Sequence, residues 1–283
     1  MSIIPTLLIL ISAVLVAGVG VLMKRSKDKL VFRAVLSVSS AAIVLPAVIA
    51  TPTPTGMIWV YLVAGAIAHF AYQLAYISAF ERGDMSLVFP LMRGSAPAIA
   101  GIFAFGILGE SLSGREVAGL VLIVLAIMAF TWPSGRTEAL PIMGVILALL
   151  TGGLIALYSV VDAAGIRFSK QELGQGWTYI AWFFLLDGIG VPVLAYMWRR
   201  ETIWTSAMAE LKTAFPAGAL SLFSFGLALF AFSMAPVAPM LVLRETSVLF
   251  GAVFAAYFLR EPFGLQRTGL AVVIFAGLLL MQT

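Results

Sequence analysis

The chain has 283 residues, 62% of them hydrophobic and 11% charged, with a formal net charge of +4, where a soluble domain carries about 45–50% apolar and about 25% charged residues. Those proportions exclude a soluble domain and describe an integral membrane protein in contact with a lipid bilayer. Zero cysteines and one histidine exclude disulfides, thiolate chemistry and a zinc constellation, so neither a metal nor a cofactor is expected.

A hydrocarbon core about 30 Å thick takes about 20 apolar residues per helical span, leaving room for about ten spans with short loops. The first, 3–23, has no basic residue before it and Lys24 and Arg25 after it, the flanks of a retained helix rather than of a signal peptide. A second follows at 31–50. The third, 57–81, repeats His69, Tyr72, Gln73, Tyr76 and Phe80 at steps of three and four, which puts a polar, aromatic stripe on one face that lipid would reject. Gly65, one turn earlier, admits a close neighbour.

The fourth span, 86–109, holds Arg93 between Pro90 and Pro97 and runs to Glu110; the prolines predict irregular backbone near the cation. Ser113 and Glu116 read as a capping box opening the fifth span, 115–132. After the polar linker 132–141 comes a sixth span, 141–163, whose Tyr158 and Asp162, four apart, are candidates for one rim of the cavity, with solvation near the helix end the alternative for Asp162. The seventh, 176–197, carries Asp187. The eighth, 213–234, presents Ser221, Ser224, Phe225, Ala228 and Phe232 at helical rhythm, and the ninth, 239–260, holds Arg244, Glu245 and Ser247 beyond Pro236 and Pro239. A tenth occupies 265–282. Ala100 with Ala104, Gly152 with Ala156 and Gly251 with Ala255 are small-residue pairs suited to close helix contact.

Two of these stretches echo each other: SLVFPLMRGSAPAIAGIFAFGILGES and VAPMLVLRETSVLFGAVFAAYFLREP. Arg93 precedes Glu110 by 17 residues, as Arg244 precedes Glu261, and the arginines are 151 apart. The linker divides the chain into repeats 1–135 and 136–283, five helices each. An odd number of spans brings the second copy in from the opposite side, so the expected fold is all-α, ten transmembrane helices in two inverted five-helix repeats.

Fifteen of the 17 Lys and Arg residues lie in the connections or within the first or last three residues of a span. Twelve fall after the odd-numbered helices (Lys24, Arg25, Lys27, Lys29, Arg33, Arg82, Arg136, Arg199, Arg200, Lys212, Arg260, Arg267) and three after the even-numbered ones (Arg115, Arg167, Lys170). The positive-inside rule then sets the first loop in the cytoplasm and both termini outside.

The two remaining cations, Arg93 and Arg244, cost about 2.5–3.5 kcal/mol each at mid-membrane and need a cavity or a partner. On symmetry-related faces, their guanidinium forks suit a carboxylate or phosphate between the halves; the structural alternative pairs them with Glu245 and Asp187. The substrate-binding candidates are His69, Tyr72, Gln73, Tyr76, Arg93, Tyr158, Asp187, Arg244, Glu245 and Ser247, with Glu110 and Glu261 structural at helix ends. His69, Asp187 and Glu245 are titratable, which makes protons a candidate coupling ion. No nucleic-acid partner is expected. One chain with internal symmetry suffices for a pathway, so a monomer is enough.

The pattern GDMSLVFPLMRGSAPAIAGIFAFGILGESLSGREVAGLVLI, echoed by APVAPMLVLRETSVLFGAVFAAYFLREPFGLQRTGLAVVIFAGLLL, resembles the EamA-type permeases of the drug/metabolite transporter superfamily. The resemblance implies a non-enzymatic, multi-pass permease of a bacterial inner membrane. It implies a central cavity formed by helices 1, 3, 4, 6, 8 and 9, and alternating access. Small polar metabolites, amino acids among them, are the implied cargo, and export the implied direction. Many members read Glu-Pro where this chain has Arg93-Gly94 and Arg244-Glu245, and many have cytoplasmic termini, against the charge count. Quaternary-amine or other cationic drug-like substrates are the alternative within the family. A lipid-handling membrane protein is the alternative outside it.

Overall fold

The computed structural model describes residues 3–82, 85–131, 142–247 and, further on, 250, 253, 254, 273, 276, 277 and 280. Among them every regular element is helical: α1 Ile3–Arg25, α2 Lys29–Ala50, α3 Met57–Arg82, α4 Met85–Leu108, α5 Gly114–Thr131, α6 Ile142–Leu173, α7 Trp177–Trp198, α8 Ile203–Phe232 and α9 Val237–Glu245. The expected tenth helix over 265–282, the 132–141 linker with Arg136, the later part of the ninth span with Gly251 and Ala255, and Arg260, Glu261 and Arg267 lie outside the described residues. So do the side chains of Lys24, Phe80 and Pro90.

Six of the nine helices are long and apolar enough to cross a bilayer. Their outer faces agree with that reading: Ile67, Ile102 and Phe105 are each more than 60% exposed, whereas Asp162, Glu245 and Arg244 are buried. Apolar side chains outward and charge inward is the arrangement that lipid, not water, selects. The chain is a multi-pass membrane protein.

Several helices run past their apolar stretches. α6 has 32 residues, roughly 48 Å at 1.5 Å per residue, so it extends well beyond a hydrocarbon core of about 30 Å. Arg167 and Lys170 therefore belong to the helix and not to a loop, and Asp162 sits in its interior. α8 likewise begins at Ile203, ten residues before the apolar run, and takes in Lys212. α4 continues unbroken through Pro90 and Pro97, which corrects the irregular backbone expected there. Before Arg244 the backbone does break: residues 233–236 separate α8 from α9, and Pro239 occupies the first turn of α9, a position whose amide would lack a helical acceptor in any case.

The helices do not pack in sequence order. α6 lies against α3 and α4, and α1 against α8 and α9, so each sequence half lends its first helix to the other. α2 and α7 pack on each other and flank the bundle, α2 also meeting α8 and α7 meeting α3. The seam between the α3–α4–α6 group and the α1–α8–α9 group crosses the middle of the molecule.

Ends are fastened by polar contacts. Ser113 and Glu116 form the reciprocal capping box of α5: the Ser113 amide donates to Glu116 Oε2 (2.8 Å) and the Glu116 amide to Ser113 Oγ (3.3 Å). Asp28 caps α2, accepting from the amides of Leu30 and Val31, and its other oxygen takes the Arg199 Nε–H at 2.9 Å. Partial burial pushes the Asp28 carboxyl up, but the Arg199 hydrogen bond and charge and the two amides outweigh it and hold it below the usual carboxylate range. Glu210 of α8 accepts the neighbouring Lys27 amide at 2.9 Å, tying the same loop to α8.

Candidate substrate-binding site

Polar groups are scarce inside this bundle, so each partner matters. Arg93, about two turns into α4, donates from Nη1 to both carboxylate oxygens of Glu245 on α9, 3.0 Å to each. The pair crosses the seam, and its side chains are 15% and 1% exposed. Arg244, the residue before Glu245, turns elsewhere. Its Nε donates to Ser12 Oγ of α1 at 3.3 Å, and its guanidinium carbon lies 5.3 Å from the Phe225 ring centroid. Ser224 of α8 completes the chain by donating to the Ser12 carbonyl at 2.8 Å, with the two hydroxyls 3.2 Å apart. Arg244 is buried, and among the described residues no carboxylate lies within ion-pairing distance of it.

The α3 stripe points into this interior. His69 and Gln73 are buried, and the His69 ring stands 3.8 Å from that of Tyr158, 4.7 Å from Phe183 and 5.0 Å from Phe225. Tyr72 packs on Tyr158 at 5.4 Å and on Tyr76 at 5.8 Å. Tyr158 falls at the midpoint of α6, so four helices contribute to one aromatic wall beside Arg244. Asp187 does not join the arginines. It accepts from Gln73 Nε2 at 3.4 Å, while Gln73 Oε1 accepts from Arg33 Nε at 2.8 Å. Ser247 is buried one residue past the C-cap of α9.

Asp162, expected either at a cavity rim with Tyr158 or in solvent at the helix end, is fully buried, which removes the solvent alternative. The continuation of α6 to Leu173 puts it deep in the helix, where it meets His69 Nε2 at 3.1 Å through Oδ2 and accepts the Tyr179 hydroxyl at 2.7 Å through Oδ1. Gly65 makes this possible: a β-carbon there would overlap Asp162 Oδ1.

At one end of the seam Glu110 and Arg167 form a clasp. Arg167 Nη1 lies 2.7 Å from Glu110 Oε1, and the guanidinium also donates to the carbonyls of Phe232, the last residue of α8, and Ala235, in the turn that follows it. Glu110 Oε2 takes the first amide of α9, Val237, at 2.8 Å. One ion pair thus satisfies the exposed backbone of two helix ends and joins α6 to α8 and α9.

Residues 3–132 match the sequence model of the EamA-like transporter family. Over those residues the chain is similar to the EamA-type transporters of the drug/metabolite transporter superfamily. Among solved structures, 28 chains match it. One, described only as the crystal structure of a protein, is similar over 98% of both chains with a TM-score of 0.76 at 16% identity, a likeness of fold alone. No curated protein matches.

In this EamA-like chain the residues hardest to foresee are Ser12 and Tyr179. Ser12 had a signal: it is one of few polar side chains in an otherwise apolar first span. Tyr179 had none, because an aromatic near a helix start is ordinary at a membrane interface, and only the path of α7 beside Gly165 turns it toward Asp162.

Proposed function

We propose that this permease carries a small polar metabolite bearing a carboxylate or phosph(on)ate, bound between the two inverted repeats near mid-membrane. The observation that carries the reading is Arg244: a buried guanidinium with a hydroxyl and a ring for partners and no carboxylate among the described residues. A buried cation left in that condition is costly, and a substrate anion supplies what is missing. Arg93 is the second candidate contact, reached when the substrate competes with Glu245. Tyr72, Tyr76, Tyr158 and the His69 ring would shape the pocket; tyrosine faces also suit the ammonium of a zwitterion such as an amino acid.

The exchange of first helices supports the ten-helix inverted repeat, with repeats 1–135 and 136–283. Adding five to each helix number turns α3 against α6 into α8 against α1, and α4 against α6 into α9 against α1, both of which occur. Transport then proceeds by rocking the two exchanged groups about the fixed central site, as a monomer in a bacterial inner membrane. Direction follows from the gradient of the solute together with that of any ion that moves with it, and a metabolite made in the cell is carried outward where its own gradient is the steeper.

The test is a melting-temperature screen of purified protein against carboxylates, inorganic phosphate and quaternary amines, since a ligand that binds only folded protein stabilises it. Stabilisation by anions is the expected result; a response confined to quaternary amines replaces this reading with a tyrosine-lined cation site.

The charge count places the loop around Lys27 in the cytoplasm and the Glu110 clasp on the outer face. The chain contains no cysteine, so single reporters are clean: Lys27→Cys stays unlabelled when an impermeant thiol reagent is added to intact cells, and labelling would reverse the orientation. With the clasp as the outer closure, a Ser224→Cys reporter is labelled from outside about tenfold faster once Glu110→Gln removes the ion pair, the effect of about 1.4 kcal/mol on an opening equilibrium. An unchanged rate makes the clasp a static joint.

A further inference from the structure

We infer that His69 and Asp162 form a proton-binding site coupled to anion binding at Arg244, so that one proton accompanies each monoanion. The inference rests on the anion site proposed above and names the ion that moves with it.

The geometry is that of a paired acceptor and carrier. Asp162 has both oxygens engaged, one by the Tyr179 hydroxyl and one by His69 Nε2, with Asp162 wholly buried and His69 6% exposed. A carboxylate opposite Nε2 requires the N–H there, which leaves the lone pair on Nδ1 to take the proton. The step is an addition: a hydronium ion entering with the water of the pathway gives its proton to Nδ1, an N–H bond forms, and a water molecule is left. The groups facing the ring are few. They are Tyr72 on its own helix, Asp162 and Tyr158 on α6, Tyr179 through Asp162 and Phe183 on α7, and Phe225 on α8, which Arg244 of α9 also approaches.

Charge balance supplies the coupling. Arg93 and Glu245 cancel, and Arg33 and Asp187, both bonded to Gln73, cancel. What remains among the described residues around this ring cluster is Arg244, 5.3 Å from the Phe225 centroid, and the Asp162 carboxylate, held by the His69 ring that packs 5.0 Å from the same phenyl. With His69 neutral and no substrate, these two offset each other at a distance, each lacking a close counter-charge. A monoanion on Arg244 alone leaves Asp162 uncompensated in a low-dielectric interior, and a proton on His69 alone leaves Arg244 so. Loading both gives two adjacent neutral pairs, which is the arrangement burial favours. Linkage is reciprocal: the anion raises proton occupancy of His69 by the factor by which the proton raises anion affinity. Anion affinity accordingly falls as pH rises and His69 empties, and a co-moving proton biases the carrier toward uptake wherever the outside is more acidic.

His69 is the only histidine of the chain, so isotope-labelled histidine in protein carrying a histidine-free tag gives one imidazole signal by NMR. The signal is followed between about pH 4.5 and pH 9, with and without inorganic phosphate or acetate, beside the melting temperature in the same buffers. The expected result is a single titration, with the imidazolium fraction near neutral pH raised about threefold or more by the anion in the wild type and unmoved in Arg244→Gln. Asp162→Asn lowers that fraction about tenfold. Tyr179→Phe, which keeps the volume, shifts it measurably and serves if Asp162→Asn does not fold. A signal that never titrates overturns the proton site, and leaves the anion site standing if phosphate or acetate still raises the melting temperature through Arg244. Titration indifferent to an anion that does raise the melting temperature overturns the coupling. No rise with either anion defeats the anion site and the coupling with it, while the titration alone then decides whether His69 binds a proton.

Discussion

Purified Arg244→Gln protein loses stabilisation by carboxylate and phosphate probes, with affinity reduced by about 30-fold or more, while its melting temperature without anions stays level or rises. The first half follows from the contact removed: truncating one member of a desolvated, hydrogen-bonded charge pair costs about 2–5 kcal/mol of binding. The second half separates a binding residue from a scaffold residue. Arg244 has no carboxylate partner among the described residues, so its charge is a burden on the empty protein, and Gln keeps a donor for Ser12 while removing that charge. Arg244→Lys retains charge without the planar fork and restores part of the affinity. Were Arg244 holding the bundle together, Arg244→Gln would melt several degrees lower and bind the probe normally once folded.

How much of this was legible beforehand depended on the range of the interaction. Helix positions came from composition and period, which are local, and the α5 capping box is a motif of four consecutive residues that folds as read. Arg93, Arg244 and Glu245 stood out because ionised groups in apolar spans are expensive, and the Arg93–Glu245 pair was among the partnerships the sequence allowed. Where distance along the chain mattered, pattern failed. Asp162 stayed open between a cavity rim and solvent because the apolar run fades after residue 163, yet a helix needs only its own backbone bonds to continue, and continuing buries the carboxylate beside a histidine 93 positions away. Ser12 and Ser224, 212 apart, meet only because α1 is lent to the other half. The prolines of α4 misled for a related reason: kinks follow from lost hydrogen bonds, and neighbouring helices can hold the backbone straight where a sequence rule cannot see them.

The Arg93–Glu245 pair should behave in the opposite way to Arg244, because here the charges are already matched. Arg93→Gln takes from Glu245, 1% exposed, the cation that balances it, and Glu245→Gln takes from Arg93 the carboxylate it faces across the seam; each single change costs about 3–5 kcal/mol of stability. The double variant Arg93→Gln, Glu245→Gln recovers most of that, since two amides can bond to each other without a charge to desolvate, and the coupling read from the cycle should exceed about 2 kcal/mol. Binding distinguishes the two singles. Glu245→Gln removes the carboxylate that competes for Arg93 and raises affinity for phosphate or acetate, whereas Arg93→Gln adds a repelling carboxylate and lowers it. The pair crosses the seam between the exchanged helix groups, so an anion that takes Arg93 from Glu245 also loosens the contact holding the two groups together at mid-membrane. That ties substrate arrival to the rocking motion through a contact with two discrete arrangements, Arg93 bound to Glu245 or Arg93 bound to cargo. Equal anion affinity in Glu245→Gln and wild type would mean that Arg93 never leaves its partner, and would confine recognition to Arg244.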